Sequence, residues 1–187
     1  MNHKNISKSM KRYLLLFILF LTLGTFQMRA QLLALKTDVL WDVAMTPNLG
    51  LELVTSGKTS VGIYGFANKN PWGRKMRMLG AMPEFRYWFS GRPMNRAFIG
   101  IGGVIADYEF NFRNKFYDGN AFGGGLTFGY AFYLGPHWSL ECYGSAAAVG
   151  YKMLRGDLDC PAEEAKYSRG YALIPFKIGV SFSYIIK

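Results

Sequence analysis

The stretch YALIPFKIGVSFSYIIK, Tyr171 to Lys187, alternates along its whole length. One parity reads Ala172, Ile174, Phe176, Ile178, Val180, Phe182, Tyr184, Ile186, and the other Tyr171, Leu173, Pro175, Lys177, Gly179, Ser181, Ser183, Ile185. A period of two is the signature of a strand. Strands in soluble sheets usually run about five or six residues, whereas a bilayer-spanning strand needs about 9–11, tilted. Backbone polar groups in hydrocarbon must all be bonded internally, and strands achieve this only in a closed barrel. A long strand with one apolar face and one small or charged face therefore limits the fold sharply.

Seven further alternating runs precede it, divided by turn residues. They are expected at about Leu33–Ala44, Asn48–Thr55, Ser60–Asn68, Met78–Phe89, Arg96–Tyr108, Ala121–Leu134 and Trp138–Lys152. Short connections (SGK, SGRPMN, GPH) follow strands two, four and six, and long ones (KNPWGRKMR, EFNFRNKFYDGN, MLRGDLDCPAEEAKYSRG) follow three, five and seven. Only MTPN, after strand one, is short where a long connection is due. Tight turns at one end and longer loops at the other are how outer-membrane barrels are laid out. The expected fold is all-β: an eight-stranded antiparallel up-and-down transmembrane β-barrel.

The apolar face is assigned to lipid because of what lies opposite it. The sparse faces carry Gly, Ala, Ser and Thr together with Lys36, Asp38, Asp42, Glu52, Glu84, Arg86, Glu141 and Lys177. Small residues and compensating ions suit the crowded interior of an eight-stranded barrel, which side chains just fill. Trp41 and Phe122 are expected in an aromatic belt at the long-loop end, and Phe89, Phe132, Trp138 and Tyr184 in one at the short-turn end, at headgroup level. Strand three fits either parity, and strand seven places Gly144, Ala146, Ala148 and Gly150 toward lipid.

Residues 1–30 are of another kind. Lys4, Lys8, Lys11 and Arg12 precede an uncharged apolar run beginning at Tyr13, and Ala30 offers a small residue before Gln31. This is the layout of a cleaved secretory signal, leaving 31–187 as one barrel domain. Five of the 22 basic residues lie in that leader, so 17 basic face 12 acidic residues in the remainder, a net +5. That mild charge is no nucleic-acid footprint. A single His after residue 30, His137, and no cysteine pair at ligand spacing point to no metal and no cofactor. Cys142 and Cys160 fall at opposite ends of the barrel, roughly 25 Å apart at strand rise, too far for a disulfide, so two free thiols, or intermolecular pairing through Cys160, are expected.

The eight ionisable residues of the sparse faces are read as an interior ion network, not as acid–base catalysts, because removing either partner of a buried pair strands the other. A lipid-A-modifying barrel enzyme is the alternative. It would need an activated nucleophile, and His137 has no evident Ser or acid partner in the sequence, so no catalytic residues are assigned. Function is placed instead on the long loops. Lys69, Arg74, Lys75 and Arg77 form a basic cluster suited to lipopolysaccharide phosphates. The aromatic run YEFNFRNKFY is expected either to extend strand five as a docking edge or to pack on itself.

LALKTDVLWDVAMTPNLGLEL (Leu33–Leu53) and MPEFRYWF (Met82–Phe89) resemble two recurring motifs of a family of small exported Bacteroidetes proteins, catalogued as domain of unknown function number 3575. The resemblance implies an eight-stranded outer-membrane barrel without catalytic residues. Its members often sit beside fimbrial or other surface genes, which implies a surface-assembly role. The expected work is structural: anchoring, adhesion or surface assembly through the loops, with outer-membrane lipid and a surface or fimbrial protein as partners. The chain departs from the family in having one cysteine, Cys160, where relatives often have a pair in the last long loop. It also ends on Lys187 and not on an aromatic residue.

Overall fold

A computed structural model describes residues 32–112, 115–157 and 166–186. The expected leader and its cleavage point at Ala30, Cys160 and Lys187 lie outside these residues. The described chain forms β1 (Leu33–Asp38), a short helix α1 (Val39–Val43), β2 (Asn48–Ser56), β3 (Thr59–Lys69), β4 (Met76–Trp88), β5 (Arg96–Phe112), β6 (Lys115–Tyr133), β7 (Trp138–Asp157) and β8 (Lys166–Ile186). Each strand pairs antiparallel with its sequence neighbours, and β1 closes on β8 to complete an eight-stranded barrel.

The stagger follows from the register. Pairing carries Leu33 to Leu53, Val61, Phe85, Ile101, Leu126, Ala146 and Pro175, while the partner of Leu33 on β8 is Ile186. The offset of eleven contains one bulge residue beside Ser145/Ala146, leaving a shear of ten. Eight strands with that shear tilt at about 40° and enclose a space that side chains fill.

The faces sort as the alternation demands. On β3, Ser60, Tyr64, Phe66 and Asn68 are buried while Val61 and Ile63 are exposed, which settles its parity. On β6 the outward row is Phe122, Leu126, Phe128, Tyr130 and Phe132, and Gly123, Gly125 and Gly129 face in. On β7 the small residues Gly144, Ala146 and Ala148 do face outward; no atom crowds Gly144, while Gly150 is covered by the rings of Tyr171 and Phe122.

Outward apolarity stops at a common level. Paired Ile105 and Phe122 are followed by Asp107 opposite Asn120 and then Glu109 opposite Asp118; Asn120 pairs Lys152, which pairs Arg169. On the other side Ala67 and Leu79 are followed by Lys69 opposite Arg77. Rise and tilt put these polar rows roughly 30–35 Å above the ring of Phe89, Phe132, Trp138 and Tyr184, the height of a hydrocarbon band with its flanking interface. Ile101, 61 % exposed, sits near its middle. Ile101→Arg is expected to cost about 2–4 kcal/mol in a bilayer, read by urea unfolding in lipid vesicles; a barrel whose outer face meets water would show almost none.

Three expectations are corrected. First, β1 ends at Asp38, six residues short of the expected Ala44. Asp38 caps α1 by accepting from Trp41 N at 3.1 Å. The wall leaves strand geometry about half-way up the apolar band, where α1 packs against β8 and Trp41 sits edge-on to the inward Phe66, centroids 5.1 Å apart. Second, the long loop after strand five is two extended strands whose pairing runs from Asp107/Asn120 to Phe112/Lys115. Third, the bulge on β8 switches its parity: Ile178 and Tyr184 face out as expected, but above the bulge the outward residues are Leu173 and Tyr171, not Ala172.

Candidate functional site

The interior is built in layers. At the short-turn end Ala34, Trp88, Met94, Phe98, Ala131, Tyr143 and Ile185 form one apolar cluster. Toward the long-loop end Tyr64, Phe66, Met82, Val104, Ala106, Ala147 and Val149 form another. Between them lie the ions. Lys36 Nζ is 2.6 Å from Glu52 Oε2 and also contacts Glu141. Arg86 Nη1 reaches Glu52 Oε2 at 3.0 Å and Glu141 Oε2 at 2.8 Å, and its Nη2 reaches Glu84 Oε2 at 2.8 Å. All five side chains are buried. A planar guanidinium suits this role, because its forked donors serve three carboxylates while its face stacks on apolar rings; Arg86 Cζ is 4.5 Å from the centroid of Phe98.

The network continues into neutral partners. Ser60 Oγ donates to Glu52 Oε1 at 2.5 Å and accepts from Trp88 Nε1 at 2.8 Å. Asp38 and Lys177 are inside but join the cluster indirectly. Asp38 accepts from the Tyr143 hydroxyl, and Lys177 Nζ lies 4.2 Å and 4.4 Å from the ring centroids of Tyr64 and Tyr143. Asp42 is not an interior residue. It stands exposed on α1, accepting from Thr37 Oγ1 at 2.7 Å and Asn48 Nδ2 at 3.1 Å. Its expected place assumed that β1 continued as a strand, whereas the turn at Asp38 swings it to the rim.

Glu84, Thr127, Ser145 and Lys177 help line an internal cavity of about 20 Å³, room for about one water. With apolar clusters above and below, the described interior is a packed core and no continuous conduit.

Of the expected belt residues, Phe89, Phe132, Trp138 and Tyr184 are exposed at the short-turn end, where Trp138 packs on Tyr184 with centroids 4.7 Å apart. Phe122 is exposed at the opposite edge. Trp41 is not a belt residue, because α1 turns it inward onto Phe66. His137 Nδ1 lies 3.0 Å from the carbonyl oxygen of Ile185, a contact that fixes the turn to β8. Cys142 is a free thiol on the exposed face.

The long-loop rim is lopsided. β1–β4 run 6, 9, 11 and 13 residues and β5–β8 run 17, 19, 20 and 21, so one side stands well above the other. The raised wall is braced by its own aromatic residues: Phe110 stacks on Tyr117 at 4.7 Å, and Arg155 lies 5.5 Å from the centroid of Tyr117. Tyr108 packs on Phe110 at 6.0 Å. The segment extends strand five, and its rings pack on one another. Tyr167 and Tyr171 on β8 are more than four-fifths exposed. Among the described residues β1 pairs with β8 only from Ser181 to Ile186, so no strand covers the β1 side of β8 above that point.

On the low side, three non-glycine residues take left-handed backbone: Met45 (φ 54), Asn70 (φ 53) and Trp72 (φ 54). Such strain costs about 1–3 kcal/mol per residue and gathers at functional sites. Trp72, 71 % exposed, stands beside α1, whose Val39, Leu40 and Val43 are exposed too. Lys69 and Arg77 are paired across β3 and β4 with their side chains outward; Arg74 and Lys75 lie in the connection between them, and all four are exposed.

A family model described as Protein of unknown function (DUF3575) matches residues 15–186. The chain belongs to that family. No curated protein and no solved structure matches it. The family description carries no activity, so the site rests on geometry alone. Sequence reasoning missed Trp88 and Tyr143 as interior members, although parity with Arg86 and Glu141 gives them away.

Proposed function

We propose that the protein is exported behind a cleaved leader, inserts in a bacterial outer membrane as a filled, non-conducting barrel, and serves a structural, adhesive or surface-assembly role through its long-loop rim. The observation that carries this reading is the raised wall of β5–β8. Its outward face turns polar at Asp107, Asn120, Lys152 and Arg169, yet pairing continues for several residues beyond. A barrel that only had to fill a membrane would end its strands where its apolar band ends. Strands that continue into water, with an edge on β8 that no described strand covers above its pairing with β1, form a rigid platform for a protein partner, and edge pairing is a common route to such contacts.

The partner fitting this platform is a surface or fimbrial protein, and the surrounding lipid is lipopolysaccharide. Catalysis is not part of the proposal: the buried carboxylates are engaged by Lys36 and Arg86, and His137 contacts a backbone carbonyl.

Shortening the β5–β6 hairpin by deleting 108–119 and joining the paired residues Asp107 and Asn120 with a two-residue Asn-Gly turn tests the role of the wall. The shortened barrel is expected to fold and reach the outer membrane while cell-surface assembly or attachment falls several-fold. Unchanged surface assembly in the correctly localised variant would contradict the role given to the wall.

A further inference from the structure

We propose that the outward face of β2–β4 holds one phosphorylated, multi-acyl lipid of the lipid-A type, with its phosphate on Lys69 and Arg77 and an acyl chain in the groove beneath them. This rests on the outer-membrane reading and adds a specific ligand site to it.

A shallow, open groove of about 410 Å³ lies on the apolar face, lined by Pro47, Asn48, Leu49, Gly65, Ala67 and Leu79 among others. Leu49 and Leu79, both more than half exposed, form its walls, and Gly65 and Ala67 leave its floor low. Pairing sets Gly65 opposite Leu49 and Ala67 opposite Leu79, so the four lie side by side. A second hollow continues upward from it, sharing Pro47, Ala67 and Leu79 and adding Met45, Lys69 and Arg77. The order from below is apolar wall, small-residue floor, then cations. That order matches an acyl chain joined to an anionic headgroup.

The cations are available. Among the described residues no carboxylate lies within ion-pair distance of Lys69, Arg74, Lys75 or Arg77; every such pair is inside the barrel. Two acids face the site. Glu109 sits opposite Arg77 in the β4–β5 register without forming an ion pair, and Asp42 is engaged by Thr37 and Asn48. Lys69 and Arg77 stand at the level where the apolar band ends, the depth of headgroup phosphates. Two cations on adjacent strands make charge-assisted bonds to one phosphate. A second outward cation pair, Lys152 and Arg169, has Gly150 beneath it with the rings of Tyr171 and Phe122 over that glycine, so its apolar surface is covered and not grooved.

The test uses the full barrel refolded in detergent, its folding checked by the mobility of unboiled samples, then placed in phosphatidylcholine nanodiscs with or without lipid A. Bound lipid is counted by native mass spectrometry. Lys69→Gln/Arg77→Gln is expected to weaken lipid A retention at least about tenfold, the loss of one or two charge-assisted bonds. Ala67→Phe, which fills the groove and leaves the cations, should weaken it several-fold, and Lys152→Gln/Arg169→Gln should leave it within twofold. Inorganic phosphate at millimolar concentration should not displace the lipid. Equal losses from both cation pairs would reduce the effect to general surface charge and overturn the site. Full competition by phosphate, or no effect of Ala67→Phe, would overturn the acyl groove. A barrel that shows the unboiled shift, fractionates with the outer membrane and binds no lipid A overturns this site alone; absence of the shift and of membrane association counts against the parent reading.

Discussion

Replacing Arg86 by methionine is expected to lower stability by about 3–5 kcal/mol, among the largest effects of any single substitution in the barrel. Arg86 contacts Glu52, Glu84 and Glu141, all buried. Methionine fills most of the volume but removes the charge. Three carboxylates then remain around Lys36, with Lys177 held between aromatic rings. Bulk water is excluded by the apolar clusters on both sides, so it cannot solvate the freed oxygens. The carboxylates must either take up protons or repel one another. The measurement is urea unfolding of the refolded barrel in micelles, with Arg92→Met in an exposed turn as the comparison, expected within about 0.5 kcal/mol of the parent. Equal midpoints for the two variants would contradict the interior ion layer. Glu84→Gln, combined with Arg86→Met, should recover part of the loss, since one stranded charge disappears with its partner.

Gly125→Val should be comparably damaging for a different reason. Gly125 faces the interior on β6, and a Cβ there would meet the Ala146 carbonyl oxygen and lie 2.7 Å from the Ala147 Cβ. The obstacle is the backbone of the next strand, which cannot rotate away as a side chain can. Relief requires β6 and β7 to separate, breaking their ladder at the centre of the barrel. The expected cost is about 3 kcal/mol or more, at the upper end of overpacking effects, seen as loss of the compact unboiled species on a gel. Gly144→Val is the matched control. It lies on β7 facing outward with no atom within 4 Å of its would-be Cβ, so a branched side chain there meets no neighbour and should be neutral or stabilising. Similar behaviour of the two variants would mean that the inward and outward faces are assigned the wrong way round.

Much of this was legible in the sequence because a closed barrel with one apolar face writes its pattern plainly. Alternation located eight strands, and the small residues opposite the apolar ones on β6 marked the packed side. Charges such as Lys36, Glu52 and Arg86 sit on the same parity as those small residues. What escaped has physical reasons. Val39 to Val43 alternates as well as any strand, and five residues are too few to display a helical period. The sign available was Asp38, a good helix cap, followed by a chain too short to return as a full strand. Strands five and six outrun their expected ends because their outward residues turn polar above Ile105 and Phe122. Hydrophobic alternation stops there while hydrogen bonding does not. The switch of parity on β8 comes from a bulge beside Pro175. Proline donates no ladder hydrogen bond and is confined to edges and bulges, so that residue was the one available warning.

The basic cluster was visible as composition, but its division into two outward strand residues and two turn residues follows from the β3–β4 register. Trp41 was visible as an aromatic at the right height, and only the turn at Asp38 shows that it packs inward on Phe66.

The most direct measurement is fractionation of cells expressing the protein, followed by electrophoresis of boiled and unboiled samples. A lipid-facing, ion-filled barrel co-sediments with the outer membrane and migrates as a compact species until it is boiled. A soluble periplasmic protein with identical mobility before and after boiling would contradict the assignment of the apolar face to lipid, and with it the placement of the ions inside.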